Sequence, residues 1–257
     1  NGSSNGNGQG MVSWNWKAGT TGSGNTGGSG SYKTYNYSVN TTAGFSIIKY
    51  TGNGTTGHTI PHHLGAVPQV VLVKCLDQTY NWNMYHQGIG NTHSLYLNTS
   101  SAKVDSDSFW NDTTPSSTVF TLGSDNATNQ NDQNYIAYVF TEKTGYSKFG
   151  SYLGNGSSDG SFCYLGFKPA WVLTKETSGT SSWDMHDNKR DPDNVCNKYL
   201  LAEDNGAEGS TDILDFCSNG FKFRSSNGDR NESGASYIYI AFGQSLVGSN
   251  NVPCTAR

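Results

Sequence analysis

LGAVPQVVLVK at Leu64–Lys74 and LGFKPAWVLTK at Leu165–Lys175 are two versions of one segment, and they decide how the rest of the chain is read. Pro68 and Pro169 correspond, as do Lys74 and Lys175, each pair 101 positions apart. The match extends both ways. YTGNG at Tyr50–Gly54 precedes the first segment as YLGNG at Tyr152–Gly156 precedes the second. Downstream, WNMYH from Trp82 answers to WDMHD from Trp183, VFTLG from Val119 to GFKFR from Gly220, and YIAYVF from Tyr135 to YIYIAF from Tyr237. Five matched segments in one order point to an internal duplication of a unit of about 100 residues.

Each copy alternates short runs of Val, Ile, Tyr, Phe and Thr with clusters of Gly, Asn, Asp and Ser, the pattern of strands and turns. Strands are predicted near Phe45–Tyr50, Gln69–Lys74, Trp82–His86, Leu95–Asn98, Val119–Leu122 and Tyr135–Phe140, with counterparts in the second copy. No segment shows sustained helical periodicity. The chain therefore reads as all-β, two tandem β-sandwich or jelly-roll-like repeats, at 44–143 and 144–247, followed by a C-terminal tail at 248–257. VVLV and YIAYVF are apolar at successive positions, whereas a strand with one wet face alternates. These strands are predicted to be covered on both faces, by the other sheet's loops, by the neighbouring copy or by another subunit.

NGSSNGNGQG followed by MVSWNWKAG resembles the loop Ser124–Asn134 followed by YIAYVFTEKTG. Residues 1–17 thus read as the last loop and strand of a preceding copy, in a longer repeated protein. Residues 18–43, rich in Gly, Ser and Asn, read as a flexible linker.

Charged residues make up 14% of the chain, against about 25% in an average soluble domain. Six Trp, fifteen Tyr and eleven Phe still supply a core. A net charge of -4 offers no basic field for nucleic acid, and no apolar run approaches the ~18 residues of a membrane span. Five cysteines without a C-x-x-C pair argue against a disulfide framework and a zinc site, and read as buried small hydrophobes.

His58, His62 and His63 are the densest group of ligand-type side chains. The second copy has SFCYLG where the first has IPHHLG, so these read as loop histidines bonded to backbone, with no metal. No serine stands out as a strained glycine elbow, Glu is scarce and Asp falls mostly in turn contexts, and no phosphate-cradling glycine loop precedes a helix. The chain reads as neither an enzyme nor a cofactor binder.

Binding has better support. Trp82 and Trp183 stand at equivalent places and read as core anchors. Two loops are not shared between the copies. FWNDTTP at Phe109–Pro115 sets Trp110 beside Asn111 and Asp112, and DNKRDPDN at Asp187–Asn194 brings Lys189, Arg190 and Asp191 together. An aromatic ring stacks on a sugar face while amides and carboxylates bond its hydroxyls, so these six residues are the candidate glycan contacts. The alternative is an ordinary turn and a self-satisfied ion cluster.

The blocks WNWKAG, NTTAGFSIIKYTGNGT, IPHHLGAVPQVVLVK, FWNDTTPSSTVFTLG, KFGSYLGNGSSDG and SLVGSNNVPCTAR resemble a repeated domain of large virion proteins of marine bacteriophages, those infecting cyanobacteria among them. The resemblance covers nearly the whole chain. It implies a tail-fibre or other external structural protein on the virion, with no catalytic residues to carry over. Homo-oligomers (a trimer by analogy), other virion proteins and a host-surface glycan are the partners that go with that role. A head-decoration or stalk protein and a cellular lectin-like adhesin are the alternatives, the last suggested by the sequons at Asn36, Asn98 and Asn126. One departure stands out: HHLG at His62–Gly65 replaces HGLG, so if that glycine serves a tight turn, either His63 adopts its conformation or the turn differs.

Overall fold

The structure, a computed structural model, describes residues 7–8 and 10–243, so the tail at 248–257 lies outside the described residues. The first half contributes β1 (Thr20–Asn25), β2 (Gly27–Gly28), β3 (Thr34–Asn40), β4 (Phe45–Thr51), β5 (His58–Pro61), β6 (Val70–Cys75), β7 (Asn83–His86), β8 (His93–Tyr96), β9 (Val104–Asp105), β10 (Val119–Leu122) and β11 (Asn134–Phe140). Two helical turns, α1 (Asp107–Trp110) and α2 (Asn126–Asn129), interrupt it. The second half contributes β12 (Ser147–Leu153), β13 (Phe162–Tyr164), β14 (Pro169–Glu176), β15 (Trp183–Asp187), β16 (Cys196–Leu201), β17 (Gly209–Cys217), β18 (Gly220–Phe223) and β19 (Ser236–Gly243), with one turn, α3 (Gly228–Asn231).

The chain is all-β. One sheet runs β1-β3-β4-β11-β6-β7-β8-β9, a small one runs β10-β5-β2, and a third runs β12-β19-β14-β15-β16-β17-β18-β13. The stretch β4-β11-β6-β7-β8-β9 has the same order as β12-β19-β14-β15-β16-β17. Registers agree too: Asn83 pairs with Val73 as Asp184 pairs with Thr174. They part around β5, where Pro61 lies opposite Val119 but Tyr164 lies opposite Gly220. The structural counterpart of Tyr164 is therefore Pro61, two residues away from the one the sequence aligns with it. His63 has φ 60, the left-handed conformation expected of it.

The apolar strands are covered on both sides, and the second cover is the other half of the chain. Val71, Val73, Ala137 and Val139 face the first half's own core, with Ile60, Trp110 and Phe120. The alternate residues form a core shared by both halves. In it Val70, Met84, Ile89 and Leu95 are buried against Phe149, Leu173, Trp183, Ile238, Ile240 and Phe242. Each large apolar side chain so buried stabilises by roughly 1.5–3 kcal/mol. This shared core joins the two halves. Trp183 sits wholly inside this joint, its indole N–H donating to the Tyr96 carbonyl at 3.0 Å, while Trp82 is half-buried. The two anchors diverge because only one lies between the sheets.

Two expectations fail here. Residues 18–43 are not a flexible linker: β1 pairs with β3, β3 extends the main sheet along β4, and β2 pairs with β5. The edge of β4 imposes the strand, since Tyr35 and Val39 drop into the core once Tyr35 lies opposite Tyr50. The glycines that looked like linker let β1 lie under tyrosine rings: a Cβ on Gly22 would meet the Tyr37 hydroxyl at 2.5 Å. Nor do residues 10–17 form a strand of a preceding copy. They carry no regular structure, and Trp16 instead packs edge-on against Trp171 at 5.7 Å and Phe242 at 5.3 Å.

Candidate functional site

Trp110 is not a surface platform. Ser106 caps the N-terminus of α1, accepting from the Ser108 N–H at 3.2 Å, and the single turn points both Phe109 and Trp110 inward. Trp110 is 2% exposed and lies edge-on to Tyr85 at 6.1 Å. Asn111 ends the turn in the left-handed conformation, its N–H bonded to the Asp107 carbonyl at 2.8 Å. Of the three predicted contacts on this loop, only Asp112 is exposed. A sugar site needs the ring outside, and burial of so large an apolar surface keeps it in.

The second predicted loop consumes its own charges. Asp187 takes the Arg190 guanidinium at 2.6 Å and the Lys189 and Arg190 backbone N–H groups at 3.0 and 2.9 Å. Burial works to raise the Asp187 carboxyl, and these bonds more than reverse it, leaving it below the usual carboxylate range. Arg190 also donates to Glu208 and to the Met185 carbonyl, each at 3.0 Å. Asp191 accepts from the Asn197 and Lys198 N–H groups at 2.5 and 2.9 Å. Of the three predicted contacts on this loop, only Lys189 is exposed. The two loops belong to different halves, and this one is the self-satisfied cluster.

The histidines are internal hydrogen-bonding groups. Fully buried His58 bridges Asn129 at 2.8 Å and Thr26 at 2.7 Å, and His62 meets the Ser116 carbonyl at 3.1 Å. His63 stacks on Tyr37 with ring centres 3.7 Å apart. Burial lowers the pKa of all three. Among the described residues no group of three or more His, Cys, Asp or Glu side chains is placed to hold a metal ion. Cys75, Cys163 and Cys196 are buried free thiols, and burial pushes Cys163 and Cys196 up to about 12, which makes them poor nucleophiles.

Two features that the sequence reading passed over are concave or charged. Asp184 and Arg230 form a buried pair at 2.8 Å, and the guanidinium lies 4.6 Å from the Tyr199 ring centre. Burial pushes Asp184 up to about 7 despite Arg230, and pushes neighbouring His186 down to about 3. Between the two large sheets lies a cavity of about 410 Å³, walled by Trp14, Trp16, Met84, Trp171, Met185 and Phe242. Among the described residues its wall is mostly apolar and carries no charged side chain, with Asn15 and Tyr138 as its polar members.

The most exposed aromatics among the second half's strands are Phe162, at 46%, and Tyr164, at 59%. The sequence signal was available: FCY puts aromatics at alternate positions of a short strand, with a small cysteine between them.

A family profile described as Domain of unknown function (DUF7483) matches residues 1–245. No curated protein and no solved structure matches the chain.

Proposed function

The chain belongs to the DUF7483 family, and because that description carries no role, we propose one from the molecule itself: a non-catalytic structural protein of a virion's external appendage, contributing to host-surface recognition. The observation that carries this reading is the core shared by two halves of like strand order. Such a joint turns a duplicated unit into one stiff block, which suits a part that bears load outside a particle. The satisfied loops support the same reading, since they leave no converging acid, base and nucleophile. A trimer belongs to the proposal, and light scattering of the purified chain checks it.

Immunogold labelling of particles from the source lysate tests the role. Label on fibres or tips is the expected outcome. Label over the capsid assigns the chain to head decoration, and label on cell surfaces without particles overturns the virion reading in favour of an adhesin.

A further inference from the structure

The joint between the sheets leaves a cavity of about 410 Å³, and equivalent residues of the two halves line it. Met84 and Met185 stand 101 positions apart, as do Leu72 and Leu173, and all four belong to its wall. The symmetry breaks at Val70, whose counterpart is Trp171. Residues 10–17 add Trp14 and Trp16 to the wall. Flexible thioethers and broad indole faces accommodate a guest ring. The volume falls in the ~300–1,000 Å³ range of small-molecule sites.

Two donors on this wall have no partner. Buried indole N–H groups normally find an acceptor. That of Trp183 finds two, the Tyr96 and Thr99 carbonyls at 3.0 and 3.1 Å. Those of Trp14 and Trp171 are also out of solvent and, among the described residues, have none. The Trp110 N–H is likewise without one, but it belongs to the first half's own core and not to this wall. A donor shut off from both water and protein destabilises until an acceptor meets it.

Charge is excluded. No charged side chain lines the cavity, and burying an ion there without a partner is costly. Arg190 lies 5.7 Å from the Trp14 ring centre, but Asp187 and Glu208 already hold it at 2.6 and 3.0 Å. We propose that the cavity binds a neutral, flat apolar molecule bearing a carbonyl-type oxygen. Its rings lie against Trp16, Met84 and Met185, and its oxygen accepts from the Trp14 or Trp171 N–H. Entry runs past residues 10–17, which have no regular structure and are held by ring contacts, Trp14 and Trp16 on Trp171 at 6.2 and 5.7 Å. The bond from Asn15 to Ser13 stays inside that segment. The site goes beyond the appendage role and does not depend on it.

Equilibrium dialysis of the full chain against fluorenone, fluorene and a fluorenone carboxylate tests it. The three share one flat frame; the first carries a neutral acceptor, the second none and the third a charge. Fluorenone should bind about fivefold tighter than fluorene, and the carboxylate should bind weakest. Fluorenone should also raise the urea midpoint. Trp14→Phe/Trp171→Phe keeps the rings and removes both donors, so it should erase the preference for fluorenone. Ala202→Phe sets a ring in the cavity from its half-buried wall position, and should weaken both neutral compounds by about tenfold or more. Unchanged urea midpoints of the ligand-free variants show that they fold. No binding of fluorenone, equal affinity for fluorene, or undiminished binding by a folded Ala202→Phe chain overturns the proposal. Binding gained only by a chain ending at Gly243 also overturns it and makes residues 244–257 the occupant.

Discussion

Where the first half has Asn83 on β7 and Thr128 on α2, the second has Asp184 on β15 and Arg230 on α3, joined as a buried ion pair. The surrounding network is otherwise repeated. Tyr50 donates to the Thr128 carbonyl at 2.6 Å as Tyr152 does to that of Arg230 at 2.7 Å. Asn129 accepts from the Asn53 N–H at 3.0 Å as Asn231 does from that of Asn155 at 3.0 Å. The outer edges differ as well. β4 is covered by β3, whereas at the β12 edge side chains do the covering, Glu142 and Gln87 on Phe149 and Ser161 on the Leu153 carbonyl. The cause is length: Thr141 to Tyr146 is all that joins β11 to β12, too short to hold another strand. The fold demands that polar groups be satisfied and edges covered, and it accepts different chemistry for each.

Asp184→Leu should break the comparison hardest. It leaves a buried guanidinium unpaired, at a cost of about 3–5 kcal/mol in urea unfolding. The double variant Asp184→Asn/Arg230→Thr, which installs the first half's residues, should lose far less. If it lost as much, the halves would not be equivalent in their needs.

Acid sharpens the contrast next. Burial holds His86 at about 4 and His186 at about 3, so their contribution is full above pH 6.5 and is lost as pH falls toward 4. Asp184, raised to about 7, contributes fully below its unfolded value of 3.8 and loses that as pH rises to 7. Two histidines against one aspartate leave a net loss on the order of 3 kcal/mol between pH 6.5 and 4. Urea midpoints across that range check the sign, and Asp184→Asn should steepen the fall.

Glu142→Ala with Gln87→Ala should cost about 1–3 kcal/mol and expose the β12 edge, read as concentration-dependent association in sedimentation. Tyr50→Phe and Tyr152→Phe should each cost about 1 kcal/mol. Unequal losses would show that the shared network carries different weight in the two halves.

The candidate site was the least legible part. Trp110 among Asn111, Asp112 and threonines looks exposed in sequence, because neighbours in the chain say nothing about which way one helical turn faces. Asp187, Arg190 and Asp191 read as available charges until their partners at Glu208, Asn197 and Lys198 come within reach through folding.

The sequence by itself determined the all-β class and most strand positions, because those are written in local alternation and turn residues, and its self-similarity raised the expectation of two copies. The double-faced character of VVLV and YIAYVF was also there to be read, as a demand for two covers. Only the tertiary structure decided what the second cover is, that Gly/Ser-rich residues 20–40 are strands, and that Phe162 and Tyr164 stay outside while Trp110 goes in. Pairing along the β4 edge and burial between sheets are contacts between residues far apart in the chain, and no local pattern encodes them.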